Sequence, residues 1–521
     1  MRKKLLSICI GTCLLSLCLG AVACEEVKPA DDNNNDPQTP SLAFERVDDG
    51  YAVVGIGTYE DGIVVIPDQY DGQPVTEIAE EAFAYETEIG ILTIPDTVKR
   101  IEARAFKSCS NLSSVTLGKN VSYIAEEAFA YCHNMGSITN TESVVTIGSS
   151  AFFNCARLKS IAFSDALEVV SDNAFTECKR LESVTFGSGL ETIGERAFYN
   201  CIALQGVEIP DGAPTQIMKQ AFWLCEALEY VWLGNDVIDI GESAFESCGL
   251  LRDVSLGDGV ESIGASAFSG CRKFYQLTLG ESLVSIGKDA FNKCWLIREI
   301  YNRSSLSIVA GSSDYGGVAL YAWYVRTGDQ PTRISKDENG LVYYTDGARK
   351  AVIAIELSKM TEVVIPDDVT EIGAYAGYGV QFISGLVIGD NCTTIGEGAF
   401  RNSYKINYLT LGENVTTIGV GAFRYNGYIV TLVINKNLKK VGAEAFMKKE
   451  GDRYYKAYKD IYFEGTQAEW DSIRFADGND HLIGEDDNGE PLVNLAFYSE
   501  TQPTASGSYW HYVDGKPTLW K

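Results

Sequence analysis

Cysteine is the residue type whose number and spacing offer this chain the most chemistry. Of the 14 cysteines among the 521 residues, nine lie three positions after a phenylalanine. These nine are Cys109, Cys132, Cys155, Cys178, Cys201, Cys225, Cys248, Cys271 and Cys294. Because the sequence after residue 24 holds no Cys-x-x-Cys pair, we expect no thiolate metal site. One thiol per repeat predicts small, buried, apolar side chains, with disulfides between neighbouring repeats as the alternative.

The histidines and carboxylates give weaker evidence for a catalytic or metal site. The three histidines, His133, His481 and His511, leave little material for histidine catalysis or a multi-histidine metal site. Two carboxylates can suffice for glycoside hydrolysis, but no sequence pattern places two acidic residues together in a cleft. We therefore predict that the protein is not an enzyme and needs no cofactor.

One acidic cluster near the C-terminus could in principle bind Ca²⁺. Its members are Asp477, Asp480, Glu485, Asp486 and Asp487. Their spacing departs from the calcium-binding loop, in which alternating acids are followed by a glycine and a distal glutamate. The cluster therefore predicts a solvated loop, and we expect no metal ligands in this chain.

The overall charge argues against one large class of partner. The formal net charge is −28, from 71 acidic and 43 basic residues. Phosphate backbones and anionic membrane surfaces repel a chain this acidic, so we expect no nucleic-acid partner. With 45% hydrophobic residues, the chain can still bury a sizeable core.

The N-terminal residues predict export. A basic start over residues 1–4 is followed by an uncharged apolar run over 5–23 and then by Cys24. This order predicts a signal peptide at 1–23, cut before a lipid-modified Cys24. Cleavage by a general signal peptidase and an uncleaved membrane anchor are the alternatives. Residues 24–41 are almost devoid of apolar side chains, so we predict a flexible tether, with the lipid as the only membrane contact.

The elements that carry these residues follow a 23-residue period. The dipeptide Ala-Phe recurs at this spacing, with one spacing of 24, in two runs. Its phenylalanines are Phe83, Phe106, Phe129, Phe152, Phe175, Phe198, Phe222, Phe245, Phe268 and Phe291, then Phe400, Phe423 and Phe446. A degenerate copy at 375–377 brings the count to about 14 coils. A fixed period of this length predicts a solenoid in which each repeat contacts only its neighbours.

Each coil combines two short extended segments with a compact Ala-Phe segment. One unit reads Val98-x-x-Ile101, Ala105-Phe106, Cys109 and Leu112-x-x-Val115-x-Leu117. The alternation at 115–117 predicts a strand with one buried face. Glycine often follows the other extended segment, where its backbone freedom suits a sharp corner. The Ala-Phe segment predicts one short helical turn, which gives a β-dominated solenoid with short helical turns.

This unit resembles the BspA-like leucine-rich repeat family of bacterial surface proteins. The resemblance covers about 76–301 and 361–447 and implies a leucine-rich-repeat solenoid. It also implies a protein that is exported and often attached to the cell. Members are associated with adhesion to host proteins, to other bacteria or to glycans. The family brings no catalytic residues.

Segments without the period flank and interrupt the repeats. We predict an N-terminal hairpin cap at 42–75, repeat block 1 at 76–301, an interrupting hairpin segment at 302–360, repeat block 2 at 361–447 and a C-terminal cap at 448–521. Asp-Gly and Asn-Gly pairs between apolar alternations indicate the hairpins. The blocks could be joined rigidly or at a bend. The aromatic residues at 509–520 predict a cover for the last coils, with a sugar-stacking site as the alternative.

The residues that flank the central apolar residue of each strand should point outward. They are small in the first four coils and become aromatic and acidic from the fifth. The predicted binding patch consists of Glu208, Tyr230, Trp232, Asp253 and Tyr301. Exposed aromatic side chains among polar neighbours are typical of binding surfaces. The alternative is that the interruption or the C-terminal segment covers this patch.

Together these features predict an exported, surface-anchored monomer that mediates adhesion without catalysis, by binding a protein or glycan. It would lie on the extracellular face of the cell envelope or, alternatively, be secreted. A structural stalk without its own ligand is the second hypothesis, and a polysaccharide-active enzyme is the third.

Overall fold

The computed structural model describes residues 42–56, 62–356, 361–426, 429–447, 459–483, 492–504 and 506–520. The predicted signal peptide, Cys24 and the tether lie outside these residues, as do Glu485, Asp486 and Asp487 of the acidic cluster.

The first part of the chain consists of short strands. They are β1 (Leu42–Val47), β2 (Gly50–Ile56), β3 (Ile63–Val65), β4 (Gln69–Tyr70), β5 (Gln73–Ile78), β6 (Ile91–Thr93), β7 (Arg100–Ile101), β8 (Ser114–Thr116), β9 (Tyr123–Ile124), β10 (Ser137–Thr139), β11 (Thr146–Ile147), β12 (Ser160–Ala162), β13 (Val169–Val170), β14 (Ser183–Thr185), β15 (Thr192–Ile193), β16 (Gly206–Ile209), β17 (Thr215–Ile217), β18 (Tyr230–Leu233), β19 (Val237–Ile240), β20 (Asp253–Ser255), β21 (Ser262–Ile263), β22 (Gln276–Leu279), β23 (Ser285–Ile286) and β24 (Glu299–Asn302).

The second part also consists mainly of short strands and contains the helices of the described residues. Its elements are α1 (Asp314–Gly317), β25 (Tyr324–Arg326), β26 (Ile334–Lys336), β27 (Leu341–Asp346), β28 (Arg349–Ile355), β29 (Glu362–Val364), β30 (Glu371–Ile372), β31 (Gly385–Val387), β32 (Thr394–Ile395), β33 (Tyr408–Thr410), β34 (Thr417–Ile418), β35 (Thr431–Ile434), β36 (Lys440–Val441), β37 (Asp460–Phe463), α2 (Gln467–Asp471), β38 (Arg474–Phe475), α3 (Asp480–Ile483), β39 (Asn494–Tyr498), β40 (Tyr509–Val513) and β41 (Lys516–Leu519).

The strands stack into two columns along a solenoid. In the first part, one column runs β1-β2-β5-β7 and onward to β23, with β4 beside β5, and the other is divided into short sheets that include β16-β18-β20. Neighbouring coils pair in parallel and in register 23 residues apart, as Ile138 does with Val115. The predicted leucine-rich-repeat solenoid is thus confirmed.

Stacked phenylalanines fill the centre of the coils. From Phe83 to Phe291 the buried rings lie nearly parallel, with centroids of successive rings 4.9 to 5.4 Å apart. Burying one such ring per coil removes a large apolar area from water and ties each coil to the next.

The Ala-Phe segments are tight turns, so the predicted short helical turns are wrong. The residues two positions before and after the phenylalanine adopt left-handed backbone conformations, as Arg196 (φ 54°) and Asn200 (φ 59°) do around Phe198. A right-handed helical turn contains no left-handed residues, so these segments are turns of another kind.

The corner glycines serve a purpose other than the predicted one. Gly148 and Gly241 do not have left-handed φ values. A Cβ atom on either would lie 2.5 Å from a backbone carbon of the preceding coil, in Ala125 or Met218. Glycine stands at these positions because the stacked backbones approach closely.

The solenoid has about 17 turns, more than the 14 predicted from the Ala-Phe period. The additional turns lack that dipeptide. For example, β25 extends the column of β22-β24, and β37, β39 and β40 extend the column of β35. Strand pairing needs only backbone groups in register, so turns can continue where the side-chain signature is lost.

The two blocks meet at a packed aromatic joint. No strand of the first part pairs with β26 to β41 among the described residues. Instead, the Trp295 ring stacks on Tyr375 with centroids 4.5 Å apart. The fully buried Arg298 donates from Nη2 to the Ala374 carbonyl oxygen at 2.6 Å. A small apolar cluster, which includes Leu296, Tyr344 and Tyr375, surrounds these contacts.

Hairpins lie at both ends of the described chain. At one end β1 and β2 pair antiparallel, and β2 then pairs in parallel with β5. At the other end β40 and β41 form a hairpin in which Trp510 is fully buried and donates from Nε1 to the Phe463 carbonyl oxygen at 3.0 Å. The nearby Tyr512 keeps 41% of its surface exposed.

Candidate functional site

Three neighbouring strands position most of the predicted patch. Strands β16, β18 and β20 pair in parallel, with Glu208 beside Trp232 and Tyr230 beside Asp253. The alternating residues Val207, Val231 and Val254 face inward, so their neighbours along each strand face outward. Glu208 and Asp253 are exposed, Tyr230 is half-buried, and Trp232 is 42% exposed.

Gly206 leaves room for one ring of the aromatic pair, because it has no side chain. The Tyr230 ring lies over Gly206, where a Cβ atom would come within 1.9 Å of the Tyr230 Cζ. The Tyr230 and Trp232 ring centroids are 4.7 Å apart at an interplanar angle of 37°. Two tilted rings on the same face of strand β18 form a platform whose shape is set before any ligand arrives.

A cavity adjoins this platform, and polar side chains line it. Its volume is about 330 Å³, and its walls include Glu182, Ser183, Gln205 and Glu208 beside Tyr230. Carboxylate, amide and hydroxyl groups next to aromatic rings can hydrogen-bond a polar ligand whose apolar faces rest on the rings.

Tyr301 lies apart from the other predicted patch residues. It belongs to β24, in the separate sheet β22-β24-β25. The Arg326 guanidinium lies over its ring, 3.8 Å from the centroid. The structure therefore brings together Glu208, Tyr230, Trp232 and Asp253 and leaves Tyr301 outside.

Glu299 flanks the central Ile300 of β24, and the outward direction predicted for such flanking residues is wrong at this position. This side chain is 2% exposed and accepts hydrogen bonds from Arg326 Nε at 2.8 Å and from the Arg333 backbone amide at 2.8 Å. The interruption adds β25 to the sheet beside β24, which buries a position that is exposed on the preceding coils.

A second cavity of about 450 Å³ was missed by sequence reasoning. It lies beside the C-terminal hairpin, and the carboxylates of Asp390, Glu413 and Glu464 line it together with Tyr512. Tyr512 donates from its hydroxyl to Glu464 Oε1 at 2.7 Å, and burial raises the pKa of the Glu464 carboxyl. The 23-residue spacing of Asp390 and Glu413 was the only sequence signal, because Glu464 and Tyr512 lie beyond the periodic repeats.

The ten cysteines in the described residues are free and buried, which confirms the predicted unpaired thiols. Each of the nine that follow a phenylalanine also donates a hydrogen bond, as Cys201 Sγ does to the Phe175 carbonyl oxygen at 3.2 Å. In block 2, Ser403 Oγ and Asn426 Nδ2 make the equivalent bond, both at 2.7 Å. Burial raises the pKa of the Cys178 thiol to about 12. The column is therefore a set of donors as well as apolar filling.

The described residues offer neither a metal-ligand cluster nor a membrane-spanning helix. They contain no group of three or more histidine, cysteine, aspartate or glutamate side chains placed to hold a metal ion. Asp477 and Asp480 belong to these residues, and the other three members of their cluster do not. Within the same part of the chain, every helix is too short or too polar to cross a bilayer.

Comparison with known proteins gives family and structural matches. A family model described as a BspA type leucine rich repeat region matches residues 76–205, 191–313 and 354–452. A solved leucine-rich repeat protein from Bacteroides ovatus is 20% identical, covers 84% of this chain and 98% of its own, and has a TM-score of 0.43. A leucine rich cell surface protein from Faecalibacterium prausnitzii is 18% identical, with coverages of 86% and 98% and a TM-score of 0.30. The pneumococcal vaccine antigen PcpA is 16% identical, with coverages of 89% and 92% and a TM-score of 0.27.

The curated proteins give no match to the sequence. The family model, in contrast, extends over more than half of the chain and over both repeat blocks. The 23-residue coils that it matches are the coils that stack in the structure. The chain therefore belongs to the BspA-type leucine-rich repeat family.

Proposed function

We propose that this protein is a surface-anchored, non-enzymatic binding protein that mediates adhesion through its strand face. The observation that carries the proposal is the Tyr230 and Trp232 pair on strand β18, whose ring centroids lie 4.7 Å apart, with Glu208 on the paired strand β16 and Asp253 on the paired strand β20. Family membership supports the coarser statement that this is a bacterial surface repeat protein.

The chemistry of the patch favours a ligand that offers both apolar faces and hydrogen-bonding groups. Aromatic side chains bury a large area at low cost in conformational entropy, because few torsions are immobilised. Glu208 and the neighbouring polar cavity can then hydrogen-bond hydroxyl or amide groups. A glycan and a polar protein surface both fit this description, and the ligand is one of these two classes.

The experiment is a binding screen of the mature chain against glycan and protein arrays. We expect Tyr230→Ala combined with Trp232→Ala to weaken a detected interaction at least about tenfold, as for aromatic anchors of other interfaces. Trp232→Ala alone tests the patch with little risk to folding, because this side chain is 42% exposed.

The matched control is Trp223→Ala. Trp223 lies on the same coil but beside the Ala-Phe turn, where its ring packs against Tyr199 with centroids 5.0 Å apart. Binding that survives loss of Tyr230 and Trp232 would contradict the patch. A chain that binds no array member in any form would favour the structural stalk.

We further propose that a lipid on Cys24 anchors the protein to the outer face of the cell envelope. The basic start, apolar run and cysteine support this proposal. We expect the wild-type chain, expressed with its own N-terminus, to partition into detergent, and Cys24→Ala to move to the aqueous fraction. A variant that stays with the membrane would contradict lipid anchoring, and a soluble wild type would point to secretion.

A further inference from the structure

A groove of about 640 Å³ lies where block 1 meets block 2, on the Ala-Phe side of the coils. Its floor crosses four successive coils, at Ile202, Leu224, Ser247 and Gly270, and it ends against Tyr378 at the start of block 2. At strand spacing, four coils span about 15 Å, which matches roughly five residues of an extended peptide. The groove is separate from the strand face that carries the proposed function.

Two cations that form no ion pair within the described residues, Arg272 and Lys273, lie at the Tyr378 end. In the described part of the chain, neither Arg272 nor Lys273 forms an ion pair, whereas Lys219, Arg252 and Arg326 each do. Lys273 Nζ has a single hydrogen bond, to the Tyr378 carbonyl oxygen at 3.3 Å. Arg272 Nε is buried and has no hydrogen-bond partner, while its guanidinium lies over the Trp295 ring, 4.9 Å from the centroid.

These charges contrast with their surroundings. The chain carries a net charge of −28, and an unpaired cation is costly to hold in a partly desolvated site. Burial lowers the pKa of the Lys273 ammonium, and the charge of Glu356 opposes this shift only in part. Glu356 itself pairs with Lys336 Nζ at 2.6 Å. One carboxylate, Glu226, lines the groove together with Leu224, away from the Tyr378 end. An incoming carboxylate would supply the partner that the cations lack.

Apart from Glu226 and Ser247, the rest of the groove is lined mainly by apolar side chains and glycine. Ile202 and Leu250 are 40% and 47% exposed, and Leu224 and Ala227 lie between them on the floor. Few side chains here can hydrogen-bond the many hydroxyl groups of a sugar. An extended chain with large apolar side chains would instead cover Ile202 and Leu250 while its acidic group reaches Lys273.

We propose that this groove binds an acidic peptide segment with apolar side chains, with its carboxylates at Arg272 and Lys273 and its apolar side chains on Ile202 and Leu250. The charge complementarity at one end and the exposed apolar floor at the other carry the proposal. The joint between the blocks creates the site, because each block contributes one wall.

The test is fluorescence anisotropy of the mature protein with rhodamine-labelled eight-residue peptides. The probe alternates Asp and Leu, and two control peptides alternate Asn with Leu and Asp with Ser. We expect saturable binding of the Asp-Leu peptide and at least tenfold weaker binding of both controls. Absence of saturable binding, or equal binding of the Asn-Leu peptide, would overturn the proposal.

Variants of the protein locate the site. We expect Lys273→Gln to weaken binding of the Asp-Leu peptide at least tenfold and Lys273→Arg to retain it. Leu250→Ser should weaken it at least fivefold without a change in melting temperature, because the side chain is half exposed. Two controls should leave binding of the Asp-Leu peptide unchanged: Val284→Ser and Trp232→Ala. The Val284 side chain is 64% exposed and does not line the groove. Full binding by both Lys273→Gln and Leu250→Ser would overturn the proposed site.

Discussion

At the scale of single residues, the cysteine column combines tight packing with a hydrogen bond from every thiol. Cys178 is fully buried, and its Sγ donates to the Phe152 carbonyl oxygen of the preceding coil at 3.1 Å. Ser403 and Asn426 replace cysteine in block 2 and keep this bond. The requirement at this position is therefore a small buried donor, and cysteine meets it at little cost in desolvation because its thiol is only weakly polar.

This column predicts a loss of stability at alkaline pH. Burial raises the pKa of Cys178 to about 12 and of Cys294 in the same direction, whereas thiols of the unfolded chain titrate near 9. A raised pKa in the folded state means that the thiols contribute fully below pH 9 and lose their contribution as pH rises toward 12. We expect the free energy of unfolding, measured in urea, to fall steadily from pH 8.5 upward.

A matched variant separates thiols from the other groups that titrate in this range. Replacing Cys155, Cys178, Cys201 and Cys225 by Ser keeps a donor in each coil but removes four ionisable groups. The fall in unfolding free energy with pH should be shallower in this variant. Equal slopes for the two proteins would contradict the role assigned to the thiols.

At the scale of elements, the turn around each Ala-Phe pair depends on two left-handed residues. Ser266 (φ 55°) precedes Phe268 and is followed beyond it by Gly270 (φ 82°). The described left-handed positions around the phenylalanines hold glycine, polar residues and an occasional Tyr or Leu, and none is β-branched. Branching at Cβ is the feature that such a conformation tolerates least.

We therefore expect Ser266→Val to lower the free energy of unfolding by about 1–2 kcal/mol, the cost of forcing a branched side chain into a left-handed conformation. Ser266→Gly is the control, and it should cause no loss because glycine adopts this conformation freely. Urea denaturation of both variants provides the measurement. A valine variant as stable as the glycine variant would contradict the argument.

At the scale of the whole molecule, Arg298 connects the two blocks. Its guanidinium donates to the carbonyl oxygens of Trp295, at 2.6 Å, and Ala374, also at 2.6 Å, and lies over the Trp323 ring. Burial lowers its pKa to about 10, yet the group remains charged at neutral pH. A buried cation held by carbonyl oxygens from both blocks fixes their relative position.

We expect Arg298→Ala to lower the free energy of unfolding by about 2–4 kcal/mol, because it leaves a cavity and removes several buried hydrogen bonds. Amide hydrogen exchange should accelerate at 372–380 in block 2, where the joint would loosen. Arg252→Ala is the control, since Arg252 forms a half-exposed ion pair with Glu229 whose loss costs less than about 1 kcal/mol. Unchanged exchange at 372–380 would show that the joint does not depend on Arg298.

The periodic part of this structure could be predicted from the sequence. The sequence predicted the spacing of Phe198 and Phe222, the nine thiols that follow rings of block 1, and the outward direction of Glu208 and Trp232. Each of these features depends on contacts with the adjacent coil. Those contacts recur with the period, so every repeat shows the same pattern of core residues in its sequence. The left-handed turns were missed because Ser, Asn and Glu at these positions give no strong signal on their own.

The sequence by itself determined that the chain is a solenoid with a phenylalanine and thiol core, and which strand carries the aromatic pair. Only the tertiary structure decided the features that do not depend on the 23-residue period. These are the burial of Glu299, the cavity around Glu464 and the joint between the blocks. The physical reason is the number of residues that separate the contacting partners along the chain. Lys273 meets Tyr378 across 105 residues and Arg298 meets Ala374 across 76, so these contacts depend on how two finished blocks dock.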